Sequence, residues 1–288
     1  MPLSVATWNV NSLKVRLPHL TDWLGQHASD IVCLQETKLA DENFPAVALQ
    51  AAGYASVFAG QKTYNGVAVL IRQAAGHAPT DVQVNLPNFA DEQKRLLAIA
   101  VDGLRVVCVY VPNGQAVGSE KYDYKLRWLA ALRDWLGEEQ ARHPRLLIAG
   151  DFNVAPEPRD VHDPAVWQGQ VLFSEPERAA FHSLLDLGLR DAFRLFDQPD
   201  RSYTWWDYRN LAFRRKLGLR IDHILLAPLL AEVCSACSID MEPRRRENNP
   251  AITHRSLRPC AERRRFASSV PCRRAGPRGR ERRANDCP

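Results

Sequence analysis

Short apolar stretches of strand length alternate with polar turns along most of the chain. This pattern predicts strands over Ser4–Val10, Asp30–Gln35, Gly66–Arg72, Leu96–Val101, Arg105–Val111, Arg145–Ala149, Ser202–Tyr208, Leu219–Leu226 and Ala236–Met241. Asp102-Gly103 separates two of these strands and predicts a tight hairpin.

Two segments carry the periodicity of a helix instead. Glu120–Gln140 places leucines at helical spacing with tryptophans beside them. A second helix is expected to begin at Ser174, because Ser174 and Glu177 have the spacing of a capping box. Hairpins mixed with helical crossovers predict an α/β fold in which two packed sheets are flanked by helices.

The composition changes after Glu247. In residues 248–288 the large aliphatic and aromatic residues are reduced to Ile252, Leu257, Phe266 and Val270. Such a segment cannot bury enough apolar surface to offset the entropy of ordering it. We therefore expect a folded domain over residues 1–247 and a disordered Arg/Pro-rich tail over 248–288.

The net charge of +5 belongs to that tail and not to the predicted domain. From Met241 onward there are 14 Arg and 5 acidic residues, whereas residues 1–240 hold 24 basic and 28 acidic residues. Nucleic-acid binding must therefore be argued from a site and not from bulk charge.

The cysteines and the apolar runs indicate a cytoplasmic protein. The 7 cysteines show no framework spacing, which suits a reducing compartment. Cys234 and Cys237 form a CxxC, for which two ordinary strand cysteines are weighed against a zinc or redox pair. We expect no membrane partner, since no apolar run nears the roughly 18 residues that span a bilayer.

Several predicted strands end in polar residues that a core would not choose. These residues are Asn9, Glu36, Tyr110, Asp151 with Asn153, and Asp222. Any one of them alone would be interpreted as a capping or turn residue. If the sheets bring the ends together, the result is a pocket of oxygen ligands suited to Mg²⁺. The residues thus favour metal-assisted hydrolysis of a phosphodiester.

Seven segments, taken in order, resemble the motifs of the exonuclease III family of AP endonucleases, within the endonuclease–exonuclease–phosphatase superfamily. They are WNVNS (8–12), DIVCLQETK (30–38), NGVAVL (65–70), VYVPNG (109–114), GDFNVAP (150–156), TWWDYR (204–209) and GLRIDHIL (218–225). The resemblance implies a four-layer α/β sandwich of two mixed, mainly antiparallel sheets. It also implies a monomeric, bacterial-type enzyme near the nucleoid that acts on duplex DNA. Such enzymes cut 5′ to abasic sites and remove 3′ nucleotides and 3′ blocking groups, using Mg²⁺ or Mn²⁺.

The resemblance assigns roles to the strand-end residues. Glu36 would be the main metal ligand with Asn9 beside it, and Asp151 and Asn153 would contact the metal, the attacking water and the phosphate. Tyr110 would donate to the phosphate or to the leaving oxygen. Asp222 would orient a histidine from the last strand.

Aromatic and basic residues would bind the DNA substrate. Trp205 or Trp206, with Leu219, would line a pocket for a flipped-out abasic sugar, although either tryptophan could be a core residue. Arg209, Lys125 and Lys121 would contact phosphates, and each could equally be a solvated surface charge.

One motif of the family is missing. A Ser-Asp-His followed by an apolar strand should occur near Pro250–Ile252, where the sequence has NNPAITH. His254 lacks the preceding acid, and His223 should point away from the face that Asp222 presents. We therefore expect the final strand to be lost, through a shifted reading frame or through divergence. A catalytically impaired homologue, and a phosphodiesterase acting on RNA or a phospholipid headgroup, remain alternatives to a DNA-repair nuclease.

Overall fold

The computed structural model describes residues 3–73, 78–207, 209, 211–245 and 253–259. Its strands are β1 (Val5–Asn9), β2 (Ile31–Gln35), β3 (Tyr54–Ala59), β4 (Val67–Arg72), β5 (Thr80–Val84), β6 (Leu96–Val101), β7 (Leu104–Tyr110), β8 (Leu146–Asp151), β9 (Arg190–Asp191), β10 (Trp205–Trp206), β11 (Gly218–Leu219), β12 (Asp222–Leu226), β13 (Cys234–Asp240) and β14 (Thr253–Pro259). Its helices are α1 (Leu13–His27), α2 (Ala46–Ala51), α3 (Glu120–Arg142), α4 (Pro164–Trp167), α5 (Glu175–Leu185), α6 (Pro228–Val233) and α7 (Glu242–Arg245).

Twelve of the strands form two 6-stranded sheets that pack face to face, and β10 and β11 form a separate 2-stranded sheet. The first has the order β13-β14-β1-β2-β4-β3 and the second the order β5-β6-β7-β8-β12-β9. Both are mixed, because β1 and β2 are parallel, as are β7 and β8, while the other pairs are antiparallel. The expected α/β sandwich is confirmed.

Three apolar interfaces hold the sandwich together. Alternate residues of β1, β2 and β4 pack against residues of β6, β7 and β8 between the two sheets. The opposite face of the first sheet packs on α1 and α2, and that of the second packs on α3 and α5. Because each sheet is covered on both faces, its central strands are almost continuously apolar. The sandwich therefore has four layers, which are α1 with α2, the first sheet, the second sheet, and α3 with α5.

Most predicted elements lie where the sequence placed them. Asp102 and Gly103 form the hairpin turn with φ of +50° and +70°, and the capping box of Ser174 and Glu177 begins α5. Two predictions were too long: Ser202–Tyr208 contains only the two residues of β10, and Leu219–Leu226 is broken before Asp222. The pattern also missed α1, β3 and β5.

The expectation that the final strand is lost is wrong. The backbone of Thr253–Pro259 forms β14, which pairs antiparallel with β1 on one side and β13 on the other. Strand pairing is made by main-chain groups, so a segment without an apolar pattern can fill the gap between two strands. The expectation of disorder is therefore also wrong for 253–259. The rest of the tail lies outside the described residues, and the domain boundary at 247 stays a prediction.

Within the described part of the chain, no helix has both the length and the apolar character needed to span a membrane.

Candidate active site

Polar strand ends from both sheets meet at one edge of the sandwich. In the parallel pair of β1 and β2, Asn9 lies beside Gln35, and Glu36 follows directly. In the second sheet Asp151 is the register partner of both Tyr110 and Asp222. Because the carboxyl ends of parallel strands lie at one edge of a sheet, these side chains come together, as the sequence predicted.

They line a cavity of about 260 Å³. Its walls are formed by Asn9, Asn11, Glu36, Tyr110, Asn113, Asp151, Asn153, Leu172, Trp205 and Asp222. The sequence analysis had not selected Asn11, Asn113 and Leu172. The first two stand inside WNVNS and VYVPNG, so the motifs themselves carried the signal that could have found them.

Two carboxylates, one from each sheet, converge on a single amide nitrogen. Asn9 Nδ2 donates to Glu36 Oε1 over 2.7 Å and to Asp151 Oδ2 over 2.9 Å. Burial raises the pKa of Asp151 to about 7, the nearby Glu36 charge adds to this, and the Asn9 hydrogen bond opposes it. Carboxylates held this close favour a cation that neutralises both.

The donor set fits a hard divalent cation. Carboxylate and amide oxygens are the ligands that Mg²⁺ takes from proteins, usually with only one or two carboxylates. Within the described residues no group of three or more His, Cys, Asp and Glu side chains is placed to hold a metal. The two carboxylates that meet at Asn9 thus suit a hard divalent cation.

The backbone at Glu36 is held in a left-handed conformation with φ of +53°. Non-glycine residues adopt it at a cost of ~1–3 kcal/mol, so the surroundings must enforce it. Ser12 N donates to Glu36 O over 2.8 Å, and Thr37 N donates to Gly66 O over 3.2 Å. Gly66 is needed there, because a Cβ on it would lie 2.1 Å from Thr37 Oγ1. Held in this way, Glu36 lines the cavity.

Tyr110 is positioned by Arg95, a residue that the sequence analysis did not select. The Arg95 guanidinium lies 4.9 Å from the centroid of the Tyr110 ring, and its Nη1 donates to Tyr110 O over 3.3 Å. Burial raises the pKa of Tyr110 well above its usual value, and the neighbouring carboxylates add to this effect. The phenol is therefore a protonated hydrogen-bond donor.

Asn153 is fixed at both ends of its side-chain amide. Its Nδ2 donates to Val111 O over 3.0 Å, and its Oδ1 accepts from Asn113 Nδ2 over 3.1 Å. Its backbone N–H also donates to Asp151 Oδ1 over 2.8 Å. The loops that follow β7 and β8 are thus joined beside the carboxylate pair.

Residues 6–255 match the sequence profile of the Endonuclease/Exonuclease/phosphatase family. The chain belongs to this family. It is 33% identical over 254 residues to exodeoxyribonuclease III of Haemophilus influenzae, a match that covers 84% of this chain and 94% of that protein.

Solved structures place the chain among nucleases of this family. A Neisseria 3′ phosphatase, NExo, bound to a product DNA hairpin is 44% identical with a TM-score of 0.85, covering 88% of this chain and 98% of that one. An AP endonuclease from Archaeoglobus fulgidus is 38% identical with a TM-score of 0.83, with the same two coverages. The chain is therefore a hydrolase of the exonuclease III and AP endonuclease type.

Trp205 and Trp206 have different surroundings in the structure. Trp205 lines the cavity and pairs with Leu219, which is fully buried behind it. Trp206 faces the other side, is 4% exposed and packs on Tyr203 and Phe213. Of the two tryptophans that the sequence offered for the sugar pocket, Trp205 lines the cavity and Trp206 is the core residue, because neighbouring residues of a strand point in opposite directions.

The basic residues also differ from one another. Lys121 is exposed on the first turn of α3, and the Arg209 side chain is 86% exposed, so both remain predicted phosphate contacts. Lys125 is 0% exposed and forms an ion pair with Glu177. The expectation that Lys125 contacts a DNA phosphate is wrong, because its ammonium group is enclosed by protein.

The histidines lie as the strand geometry requires. His223 is buried on the face opposite Asp222, and its Nε2 lies 2.9 Å from Val154 O. On β14, His254 is the register partner of Trp8, and Thr253 is the partner of Asn9. The beginning of β14 therefore lies beside Asn9, which binds both carboxylates.

Proposed function

We propose that the protein is a Mg²⁺-dependent DNA-repair phosphodiesterase with AP endonuclease, 3′–5′ exonuclease and 3′-phosphatase activity on duplex DNA. The observation that carries this proposal is the convergence of Glu36 and Asp151 on Asn9 inside a cavity that Tyr110 and Asn153 also line. Carboxylates for a cation and donors for a phosphate are the two requirements of phosphodiester hydrolysis.

The chain's own residues supply the remaining chemistry. A bound Mg²⁺ would polarise a phosphate oxygen and offset the charge of the phosphate. Glu36 and Asp151 would hold that ion while Asn9 fixes their orientation. The Asp151 carboxylate accepts the proton of the attacking water, and the hydroxyl of Tyr110 donates to a phosphate or leaving-group oxygen.

The size and lining of the cavity support a sugar-phosphate substrate. About 260 Å³ lies below the ~300–1,000 Å³ of sites for drug-sized ligands, so a sugar with its phosphate fits better than a complete nucleotide. Trp205 and Leu172 give this cavity an apolar side, which suits a flipped sugar without a base. The DNA hairpin bound by the Neisseria relative supports a DNA substrate. We expect the protein to act as a monomer.

The test uses four substrates with the purified chain. Duplexes carrying a tetrahydrofuran abasic site, a recessed 3′ end or a 3′-phosphate are compared with a single-stranded RNA of the same length. The proposal predicts Mg²⁺-dependent, EDTA-sensitive cleavage of the DNA substrates. Cleavage of the RNA alone, or cleavage that EDTA leaves unchanged, would contradict it.

A further inference from the structure

Lys125 and Glu177 form a fully enclosed ion pair directly behind the wall of the cavity. Both side chains are 0% exposed, Lys125 on α3 and Glu177 on α5. Burying two charges is costly unless each makes further hydrogen bonds. Three further bonds of this pair go to the backbone of residues that line the cavity.

Three wall residues depend on these bonds. Lys125 Nζ donates to Asn153 O over 2.7 Å and to Asn113 O over 3.1 Å. Glu177 Oε1 accepts from Leu172 N over 3.0 Å. The ion pair thus connects the loops after β7 and β8 with the segment before α5.

Two of these residues have left-handed backbone. Leu172 has φ of +77° and Asn153 has φ of +49°. Asparagine tolerates this conformation, but a leucine keeps it only where the surroundings enforce it. Leu172 is held by Glu177 at its N–H and by Ala155 N, 2.8 Å from its carbonyl oxygen. Asn153 is held by Lys125 at its carbonyl oxygen.

The loop after β7 is also shaped to lie over the lysine. Gly114 has φ of +91°, and a Cβ on it would lie 3.1 Å from Lys125 Cδ. Glu177 has a second role, because its Oε2 accepts from Ser174 N over 3.1 Å in the capping box of α5. A shift of either partner would therefore move the loop and the helix start together.

We propose that Lys125 and Glu177 are a positioning pair that holds Asn113, Asn153 and Leu172 in the geometry required for phosphodiester cleavage. The inference rests on the proposed function, but its structural part can be tested without activity. Neither residue reaches the cavity, so the pair acts through the backbone of the residues that do.

The experiment compares two doubly neutralised variants. K125M/E177Q removes both charges of the positioning pair at similar volume. The matched control R105M/E139Q removes a second buried pair, between Arg105 of β7 and Glu139 of α3, where Arg105 Nε lies 2.6 Å from Glu139 Oε2 and both side chains are 2% exposed. Arg105 lies at the opposite end of β7 from Tyr110, ~17 Å away at about 3.3 Å per residue.

Amide hydrogen exchange gives the readout that does not depend on catalysis. K125M/E177Q is expected to exchange faster at residues 111–115, 151–155 and 171–174, whereas R105M/E139Q leaves these segments as in the unmodified chain. If K125M/E177Q does not fold, E177Q alone is measured and should accelerate exchange at 171–174. Unchanged exchange in these segments, or the same acceleration in the control, would overturn the proposal.

Kinetics then separates positioning from general stability. A displacement near 1 Å can cost ~10²-fold in rate, so K125M/E177Q should lower kcat by about that factor with KM unchanged. R105M/E139Q should keep the kcat of the unmodified chain at temperatures where it is folded. If the unmodified chain does not cleave DNA, the proposed function fails, while the exchange data still decide the role of the pair.

Discussion

Asn9 and Asp151 lie 142 residues apart in the chain and on different sheets, yet Asn9 Nδ2 donates to Asp151 Oδ2 over 2.9 Å. The same nitrogen donates to Glu36 over 2.7 Å. One amide therefore fixes the separation of two carboxylates at the point where the sheets meet. The chemistry of the site depends on that separation.

Replacing Asn9 with Ala should lower DNA cleavage with little loss of stability. Losing a partner that orients metal-ligating carboxylates typically costs ~10–100-fold in activity or metal affinity. Thr7→Val is the matched control, because Thr7 lies on the same face of β1 and bonds Gln35 away from the cavity. The control should cost about 1 kcal/mol of unfolding free energy and keep kcat. Equal kcat for Asn9→Ala and the unmodified chain would exclude a catalytic role for the amide.

Trp205→Ala and Trp206→Ala should have different consequences, because only Trp205 lines the cavity. Trp205→Ala should reduce incision at an abasic site more than 3′ exonuclease action on undamaged ends. Trp206→Ala should instead cost ~3–5 kcal/mol of unfolding free energy, since it empties a buried site. The measurements are the rates of abasic-site incision and of 3′ exonuclease action for each variant below its melting temperature, together with its unfolding in urea. A larger selective loss for Trp206→Ala would show that the pocket assignment is reversed.

The sequence predicted which strand ends converge better than it predicted which aromatic side chain lines the cavity. Strand ends could be located because apolar runs end abruptly at Asn9, Glu36 and Asp151, and parallel strands bring such ends together. Alternation along a strand shows that Trp205 and Trp206 face opposite ways but not which of them faces the cavity. That choice depends on the pairing of Trp205 with Leu219, a contact between distant segments.

The position of Lys125 in the sequence already indicated that its side chain is buried. It stands four residues before Leu129 and seven before Leu132, so it falls on the apolar stripe of α3. A lysine on a buried stripe indicates a paired interior charge and not a phosphate contact. Its partner Glu177 was predicted only as a capping residue, since sequence spacing shows local bonds and not tertiary ones.

The amino-acid sequence of residues 250–256 is compatible with a gene that encodes the missing motif in another reading frame. Each of the residues Pro-Ala-Ile-Thr-His-Arg-Ser can be encoded by several synonymous codons. Some of these codons, when read in the frame that starts at the last base of the Pro250 codon, encode Ser-Asp-His-Ala-Pro-Val. The histidine codon of that reading spans the codons of Ile252 and Thr253, and Thr253 is the register partner of Asn9. We expect the gene to read Ser-Asp-His in this frame. A nucleotide sequence that encodes other residues there would favour divergence.

Restoring that frame should raise the activity of the chain. The histidine would lie beside Asp151 and Asp222 and supply a phosphate donor, which is worth ~10²–10³ in rate. The comparison is between the 288-residue chain and a version that carries Ser-Asp-His-Ala-Pro-Val from residue 251 onward. If both incise abasic DNA equally fast, another residue completes the site and the missing motif is irrelevant.

Glu36→Gln tests the central claim most directly, because Glu36 is the residue assigned to the metal. Its stability should be nearly unchanged, since the variant loses a partly exposed ion pair with Lys38 but also the repulsion of Asp151. Glu42→Gln, an exposed carboxylate nearby in the chain, is the control. The measurement is Mn²⁺ binding by electron paramagnetic resonance together with Mg²⁺-dependent cleavage of abasic duplex DNA. We predict that Glu36→Gln loses both and Glu42→Gln keeps both; full Mg²⁺-dependent cleavage by Glu36→Gln would show that the metal is held elsewhere.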